Sequence, residues 1–139
     1  ENQLIPQIGI LGHSLGAAVA LQLAETVSVE RVVLLSPFTS VADMVKKMFG
    51  SWLIPLLQHR FENRGPLMQL LKRDPPPSIT IIHGTRDEVI PVEMGRELAA
   101  LNPEQIHYHE LIHSYHNTIL QDALPVVLQE LQSIRELSD

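Results

Sequence analysis

The feature that most constrains the fold is a serine between two glycines, at residues 12–16 with the sequence Gly-His-Ser-Leu-Gly. Before it, residues 7–11 form a short apolar run, which is typical of a buried strand. After it, residues 15–25 are rich in alanine and leucine and favour a well-buried helix. The pattern predicts a sharp strand-to-helix turn at Ser14, with Gly12 and Gly16 giving the strand and the helix room to approach each other.

Further strands and helices alternate along the chain. Apolar runs at 31–35 and 78–83, and a less regular alternation at 105–112, predict three more strands. Helices are predicted at 91–101 and within 117–137, where Pro125 interrupts the pattern. Segment 38–73 instead predicts short helices at 41–49 and 66–72 that form a cap-like excursion. We therefore predict one α/β domain over 1–139, with a mostly parallel sheet of about four strands and helices on both faces.

Composition excludes several classes of protein. Sixteen acidic against ten basic side chains give a net charge of −6, and without a basic run this argues against a nucleic-acid partner. The absence of cysteine excludes disulfides, thiol nucleophiles and cysteine-based zinc sites. No apolar run approaches the ~20 residues of a membrane span. We expect a soluble, cytoplasmic domain.

Ser14 is the candidate nucleophile. A serine hydroxyl is a weak nucleophile at neutral pH and needs a base that is oriented by a carboxylate. Asp87 lies in the loop after the third predicted strand, where the catalytic groups of parallel sheets gather, and is the favoured acid. Glu88 beside it and Asp43 are weaker alternatives, Asp43 because it falls inside a predicted helix.

Two histidines after the fourth predicted strand are candidates for the base. His116 is favoured because it immediately precedes the last helical region, and His113, nearer the strand end, stays open. His83 is interpreted as a packed or loop-stabilising residue, and His13 as a residue that shapes the serine turn. The backbone N–H of Leu15, at the start of the predicted helix, is the candidate oxyanion donor.

A metal site is the weaker interpretation of the same region. His109, His113 and His116 are close in sequence, but Glu110 is their one carboxylate neighbour and would face away from His109 on a strand. We expect neither a metal nor a cofactor.

Three motifs in this sequence resemble the α/β-hydrolase superfamily, in particular its serine hydrolases with a small cap. They are Gly-His-Ser-Leu-Gly at 12–16, Ser-Pro-Phe-Thr-Ser at 36–40 and His-Gly-Thr-Arg-Asp-Glu-Val-Ile-Pro at 83–91. The resemblance covers nearly the whole chain, from the superfamily's fifth strand onward. It implies Ser14 as nucleophile, Asp87 as acid and His116 as base. Tyr115 stands where the superfamily usually has glycine, which keeps His113 open.

The resemblance also implies the reaction. We expect a serine hydrolase of an ester, thioester or lipid-like acyl substrate, a small molecule or a lipid, with Phe38, Met48 and Trp52 forming an apolar binding wall. The alternative is a catalytically weak or inactive fragment that acts as an interaction module. A flavodoxin-like binding domain is less favoured, because a phosphate-binding loop is missing from the pattern.

A complete member of the superfamily has about four more strands before the serine turn, and takes a second oxyanion donor from an upstream loop. We therefore expect the strand at 7–11 to present an unpaired apolar edge, covered by the rest of a longer protein or by another copy in a homo-oligomer. Without the second donor, we expect a rate loss of roughly 10²–10³-fold.

Overall fold

The structure, a computed structural model, describes residues 8–56 and 61–137. Four strands, Gly9–His13 (β1), Arg31–Leu35 (β2), Ser78–Gly84 (β3) and Ile106–Leu111 (β4), form one sheet in the order β1-β2-β3-β4, and all neighbours are parallel. The helices are Leu15–Thr26 (α1), Val41–Phe49 (α2), Arg64–Leu71 (α3), Val92–Ala99 (α4), Ile119–Asp122 (α5) and Leu124–Leu137 (α6), with a 3₁₀ helix at Ser51–Leu56. The predicted parallel sheet of about four strands is confirmed.

The core lies on both faces of the sheet. Because side chains alternate along a strand, Val32 and Leu34 of β2 pack on one face with α1, α3 and α4, whereas Val33 and Leu35 pack on the other with α5 and α6. All four side chains are buried, and each contributes about 1.5–3 kcal/mol of transfer free energy. The prediction of helices on both faces is confirmed.

Some element boundaries differ from the predicted ones, for identifiable reasons. β1 continues through His13 because its ladder with β2 runs to Leu35; Gln7, the predicted start, lies outside the described residues. Helix α3 begins two residues before Pro66, and α6 begins one residue before Pro125. The first turn of a helix tolerates proline because its N–H groups have no acceptor within the helix.

Among the described strands, β1 is one edge of the sheet and β4 is the other. Ser14 N–H donates to Leu35 O at 2.9 Å and Ile8 O accepts from Glu30 N–H at 2.9 Å, so the even-numbered residues face β2. Since backbone groups alternate sides along a strand, those of the odd-numbered residues 9, 11 and 13 point to the open edge. Exposed apolar side chains lie on this strand and on two helices near it: Leu11 on β1, Val19 and Leu23 on α1, and Leu124 and Leu128 on α6. We call these five side chains and the open edge the β1-edge surface.

The segment between β2 and β3 holds α2, the 3₁₀ helix and α3. Its interpretation as a cap stays a prediction. In the part of the chain that the structure describes, no helix is long and apolar enough to cross a membrane.

Candidate active site

Ser14 stands alone on a strained turn between β1 and α1. Its backbone has φ 58° and ψ −119°, a conformation that is unfavourable for any residue but glycine. Two backbone hydrogen bonds hold it there: its N–H donates to Leu35 O at 2.9 Å, and its carbonyl accepts from Ala17 N–H at 3.0 Å. The turn therefore presents the serine at the carboxyl edge of the sheet.

The two glycines of the turn are not equivalent. A Cβ on Gly12 would lie 2.3 Å from Gly16 O and 2.8 Å from the Cα of Ala17, so β1 and α1 can cross this closely only over a glycine. Apart from its chain neighbours and the backbone of its own helix, a Cβ on Gly16 would have no described heavy atom within 4 Å. The prediction that both glycines make room for the crossing is confirmed for Gly12 and wrong for Gly16, because Gly16 faces open space.

Asp87 is fixed in the loop between β3 and α4. Its Oδ1 accepts from Val89 N–H at 3.0 Å and from Ile90 N–H at 2.7 Å. The side chain is completely buried. The backbone of this loop thus binds Oδ1 of Asp87 and leaves the second oxygen, Oδ2, for other donors.

The structure brings His116 to Asp87. His116 Nδ1 lies 2.8 Å from Oδ2 and 3.0 Å from Oδ1 of Asp87, and the imidazole is 9% exposed. Burial alone would raise the pKa of Asp87, but hydrogen bonds from His83, His116 and Ile90 N–H outweigh it and hold that pKa well below its usual range. An ionised Asp87 accepts a hydrogen bond from the Nδ1–H of His116, which leaves the lone pair on His116 Nε2 to act as a base.

The alternative acids and base make other contacts. His113 is exposed with φ 71°, and its backbone N–H donates to Thr85 Oγ1 at 3.0 Å. Glu88 is exposed, and its carboxylate is 3.5 Å from His116 N–H. Asp43, in the first turn of α2, accepts from the Thr39 hydroxyl at 2.7 Å and from Arg64 at 2.9 Å. Neither His113 nor Asp43 takes part in the pair formed by Asp87 and His116.

His13 links the serine turn to the loop of the candidate base. Its Nε2 lies 3.0 Å from His116 O, and the two imidazole centroids are 4.8 Å apart. Burial, and then the neighbouring His116, lower the pKa of His13. The described residues show no hydrogen bond between the Ser14 hydroxyl and His116, whereas the contact of His13 joins the serine turn to the loop of His116.

The loops after β3 and β4 are also tied to each other. A Cβ on Gly84 would lie 2.3 Å from Ser114 O, and Arg86 N–H donates to that oxygen at 3.0 Å. The Arg86 guanidinium also donates to the Tyr115 hydroxyl at 3.3 Å and lies 5.9 Å from the ring centroid. Sequence reasoning missed these contacts; Gly84, directly after an apolar strand, was the one signal of a close approach.

The three residues of the predicted binding wall are placed differently. Phe38 is 4% exposed and packs with Ala18, Ile90 and Met94 beneath α2. Met48 and Trp52 are 61% and 72% exposed, and lie at the end of α2 and in the 3₁₀ helix.

Leu15 is the first residue of α1. The first N–H groups of a helix have no acceptor within the helix, and they carry the positive end of its dipole. The Leu15 N–H directly follows Ser14 and is therefore suited to an oxyanion that forms there.

The histidines after β3 do not meet at a cation-binding cluster. His109 Nε2 lies 3.4 Å from Glu130 Oε1 on α6, whereas His116 binds Asp87. Within residues 8–56 and 61–137, no group of three or more histidine, aspartate or glutamate side chains could hold a metal ion.

The four-stranded parallel sheet with helices on both faces is shared with solved α/β-hydrolases. Solved structures of that class match this chain, which has part of the α/β-hydrolase fold. A meta-cleavage product hydrolase from Pseudomonas fluorescens matches with a TM-score of 0.65 and 16% identity, over 96% of this chain and 66% of that one. An esterase domain from Rhodothermus marinus matches with a TM-score of 0.58 and 20% identity, over 82% of this chain and 53% of that one.

Sequence comparison adds curated relatives. Two uncharacterized proteins from two strains of Mycobacterium tuberculosis are each 32% identical over 102 residues, which is 73% of this chain. The alignment spans 35% of the length of each relative. No protein-family model matches the chain.

Proposed function

We propose that Ser14, His116 and Asp87 form the catalytic triad of a serine hydrolase that cleaves an ester, thioester or lipid-like acyl substrate. The observation that carries this proposal is the buried pair of His116 and Asp87, 2.8 Å apart, next to the strained turn of Ser14. A general base held by a buried carboxylate is what a serine hydroxyl needs to attack a carbonyl.

In the proposed reaction, the three triad residues and the Leu15 N–H each have a separate role. His116 Nε2 takes the proton of the Ser14 hydroxyl while Oγ attacks the carbonyl carbon, and Asp87 stabilises the imidazolium that results. The Leu15 N–H donates to the oxyanion of the tetrahedral intermediate. His116 then gives its proton to the leaving oxygen or sulfur, and the acyl-serine is hydrolysed by a water that the same imidazole deprotonates.

The acyl class is supported by two kinds of observation. Exposed apolar side chains, Met48 and Trp52, lie on the segment between β2 and β3, and this segment packs on the start of α1 and on the Asp87 loop through Phe38. Among the solved structures that share the fold is an esterase domain. We propose that an acyl chain lies along Met48 and Trp52.

A fluorophosphonate probe tests the triad, because it phosphonylates an activated serine. We expect this chain to be labelled at Ser14, as located by peptide mass spectrometry. Ser14→Ala should abolish the labelling, and His116→Ala should slow it by about 10²–10⁴-fold. The matched control is Ser28→Ala, since Ser28 is an exposed serine outside the site, and it should be labelled like the parent chain. Labelling that survives Ser14→Ala, or a folded parent chain that is not labelled, would overturn the proposal.

A further inference from the structure

We propose that His83 is a positioning residue for the catalytic acid: this second imidazole holds the Asp87 carboxylate in the orientation that His116 requires. The inference rests on the proposed function only in naming Asp87 as the acid. It concerns a buried histidine that takes no part in the proton transfers described above.

His83 lies in β3 directly before Gly84, and its side chain is completely buried. Its Nε2 is 2.9 Å from Ile90 O and 3.4 Å from Asp87 Oδ2. Both neighbours are acceptors in the loop that carries the acid, so Nε2 bears the proton and donates to that loop.

The other face of the imidazole is fixed by α4. A Cβ on Gly95 would lie 2.4 Å from His83 Nδ1, so glycine at this position lets the helix rest directly against the ring. His83 Nδ1 has no hydrogen-bond partner among the described residues. The ring is therefore clamped between α4 and the acid loop, and its one hydrogen-bonding edge is aimed at that loop.

The two oxygens of Asp87 show what His83 adds. Oδ1 accepts two backbone N–H groups, from Val89 and Ile90, whereas Oδ2 is the oxygen nearer to His116 Nδ1. His83 Nε2 is a further donor near that oxygen, 3.4 Å from Oδ2. His83 thus sets the rotation of the carboxylate at the oxygen that the base uses.

Two substitutions separate positioning from packing. His83→Gln keeps an N–H near the place of Nε2, whereas His83→Leu fills a similar volume without a donor. We expect His83→Leu to lower kcat of ester hydrolysis by about 10–100-fold with KM within about twofold, and His83→Gln to stay within about fivefold of the parent kcat, because orientation of the base acts in the transition state. The matched control is His107→Leu, an exposed histidine in β4, which should leave both constants unchanged. Unchanged kcat in His83→Leu, or equal losses in the Leu and Gln variants, would overturn the proposal.

A second measurement does not depend on catalysis. In a carbon-13 NMR titration, the pKa of the Asp87 carboxyl should be well below its usual range in the parent chain and in His83→Gln. It should rise by about one unit in His83→Leu, since a donor that favours the ionised form is lost. An unmoved Asp87 titration counts against the proposal. This result can be read even if the chain fails to label at Ser14, so the two proposals fail separately.

If His83→Leu does not fold, nitrogen-15 NMR of the unaltered chain decides. We expect the His83 proton on Nε2 and none on Nδ1. A proton on Nδ1 would remove the donor that the proposal requires and would overturn it.

Discussion

Three non-glycine residues of the described part have positive φ, and all three follow strand ends at the same edge of the sheet. Ser14 follows β1, Ser36 follows β2 with φ 48°, and His113 follows β4 with φ 71°. Such conformations cost of order 1–3 kcal/mol each and persist where surrounding contacts impose them. At Ser14 the strained conformation is held by the hydrogen bond from its N–H to Leu35 O and by the close crossing of α1 over Gly12.

Because a Cβ has room at Gly16 but not at Gly12, the two glycines should respond differently to substitution by alanine. Gly12→Ala should destabilise the chain by about 1–3 kcal/mol, because its Cβ must displace the backbone of α1. Gly16→Ala should be neutral, or stabilising by up to ~1 kcal/mol, because its Cβ meets open space in the first turn of a helix. Urea unfolding of the two variants measures the difference. Equal destabilisation by both substitutions would contradict the crossing geometry.

At the scale of elements, dense apolar patterns predicted the structure best. The strand at Arg31–Leu35 and the helix at Val41–Phe49 have the predicted bounds, because an uninterrupted apolar run and a Ser40 cap mark them locally. Strand β1 runs past its predicted end to His13, because the length of the ladder depends on the partner strand. Helices α3 and α6 begin before Pro66 and Pro125. The prediction missed this because it interpreted each proline as the start of a helix or as an interruption.

The residues of the candidate site were likewise predictable only where a local motif contains them. Ser14 and Asp87 stood in local motifs, so the sequence alone could single them out. The choice between His116 and His113 depended on how the chain turns after β4, and the spacing left it open. The contacts of His83 with Asp87, and of Gly84 with Ser114, join separate loops or a strand and a loop, so no local pattern carries them.

The segment between β2 and β3 supplies the element-scale prediction. Helix α2 has no fully buried residue, and Met48 and Trp52 expose apolar surface that an acyl chain could cover. Replacing both with alanine should raise KM for an octanoyl ester by about 5–30-fold, since each buried methylene is worth ~0.8 kcal/mol, and should leave KM for an acetyl ester unchanged. Leu128→Ala, an exposed leucine on α6, is the control. An equal rise for both esters would contradict an acyl-binding role.

At the scale of the whole molecule, the described strands form an open sheet with β1 and β4 at its two edges. Arg31 of β2 is buried and its guanidinium binds Glu130 of α6, so α6 is anchored across the sheet. Beyond β1, the backbone of Leu11 and its odd-numbered neighbours faces outward between the exposed apolar side chains of α1 and α6. An open, apolar strand edge is a template for pairing with another strand. The matched solved chains extend beyond the region they share with this one, since it spans 66% or less of the two described above.

We propose that the β1-edge surface is covered, either by further sequence of a longer protein or by a second copy of this chain, and this makes a prediction for the chain alone. It should self-associate at high concentration, with a light-scattering mass above that of the 15.6 kDa monomer. Val19→Lys combined with Leu23→Lys places two charges on the exposed stripe of α1 and should shift the chain towards the monomer, because burying an unpaired charge in an apolar contact is costly. Gln69→Lys, on the exposed face of α3, should leave the association unchanged. If the unaltered chain is a monodisperse monomer at high concentration, the edge needs no cover, and the apolar stripes on α1 and α6 belong to the surface of a finished domain.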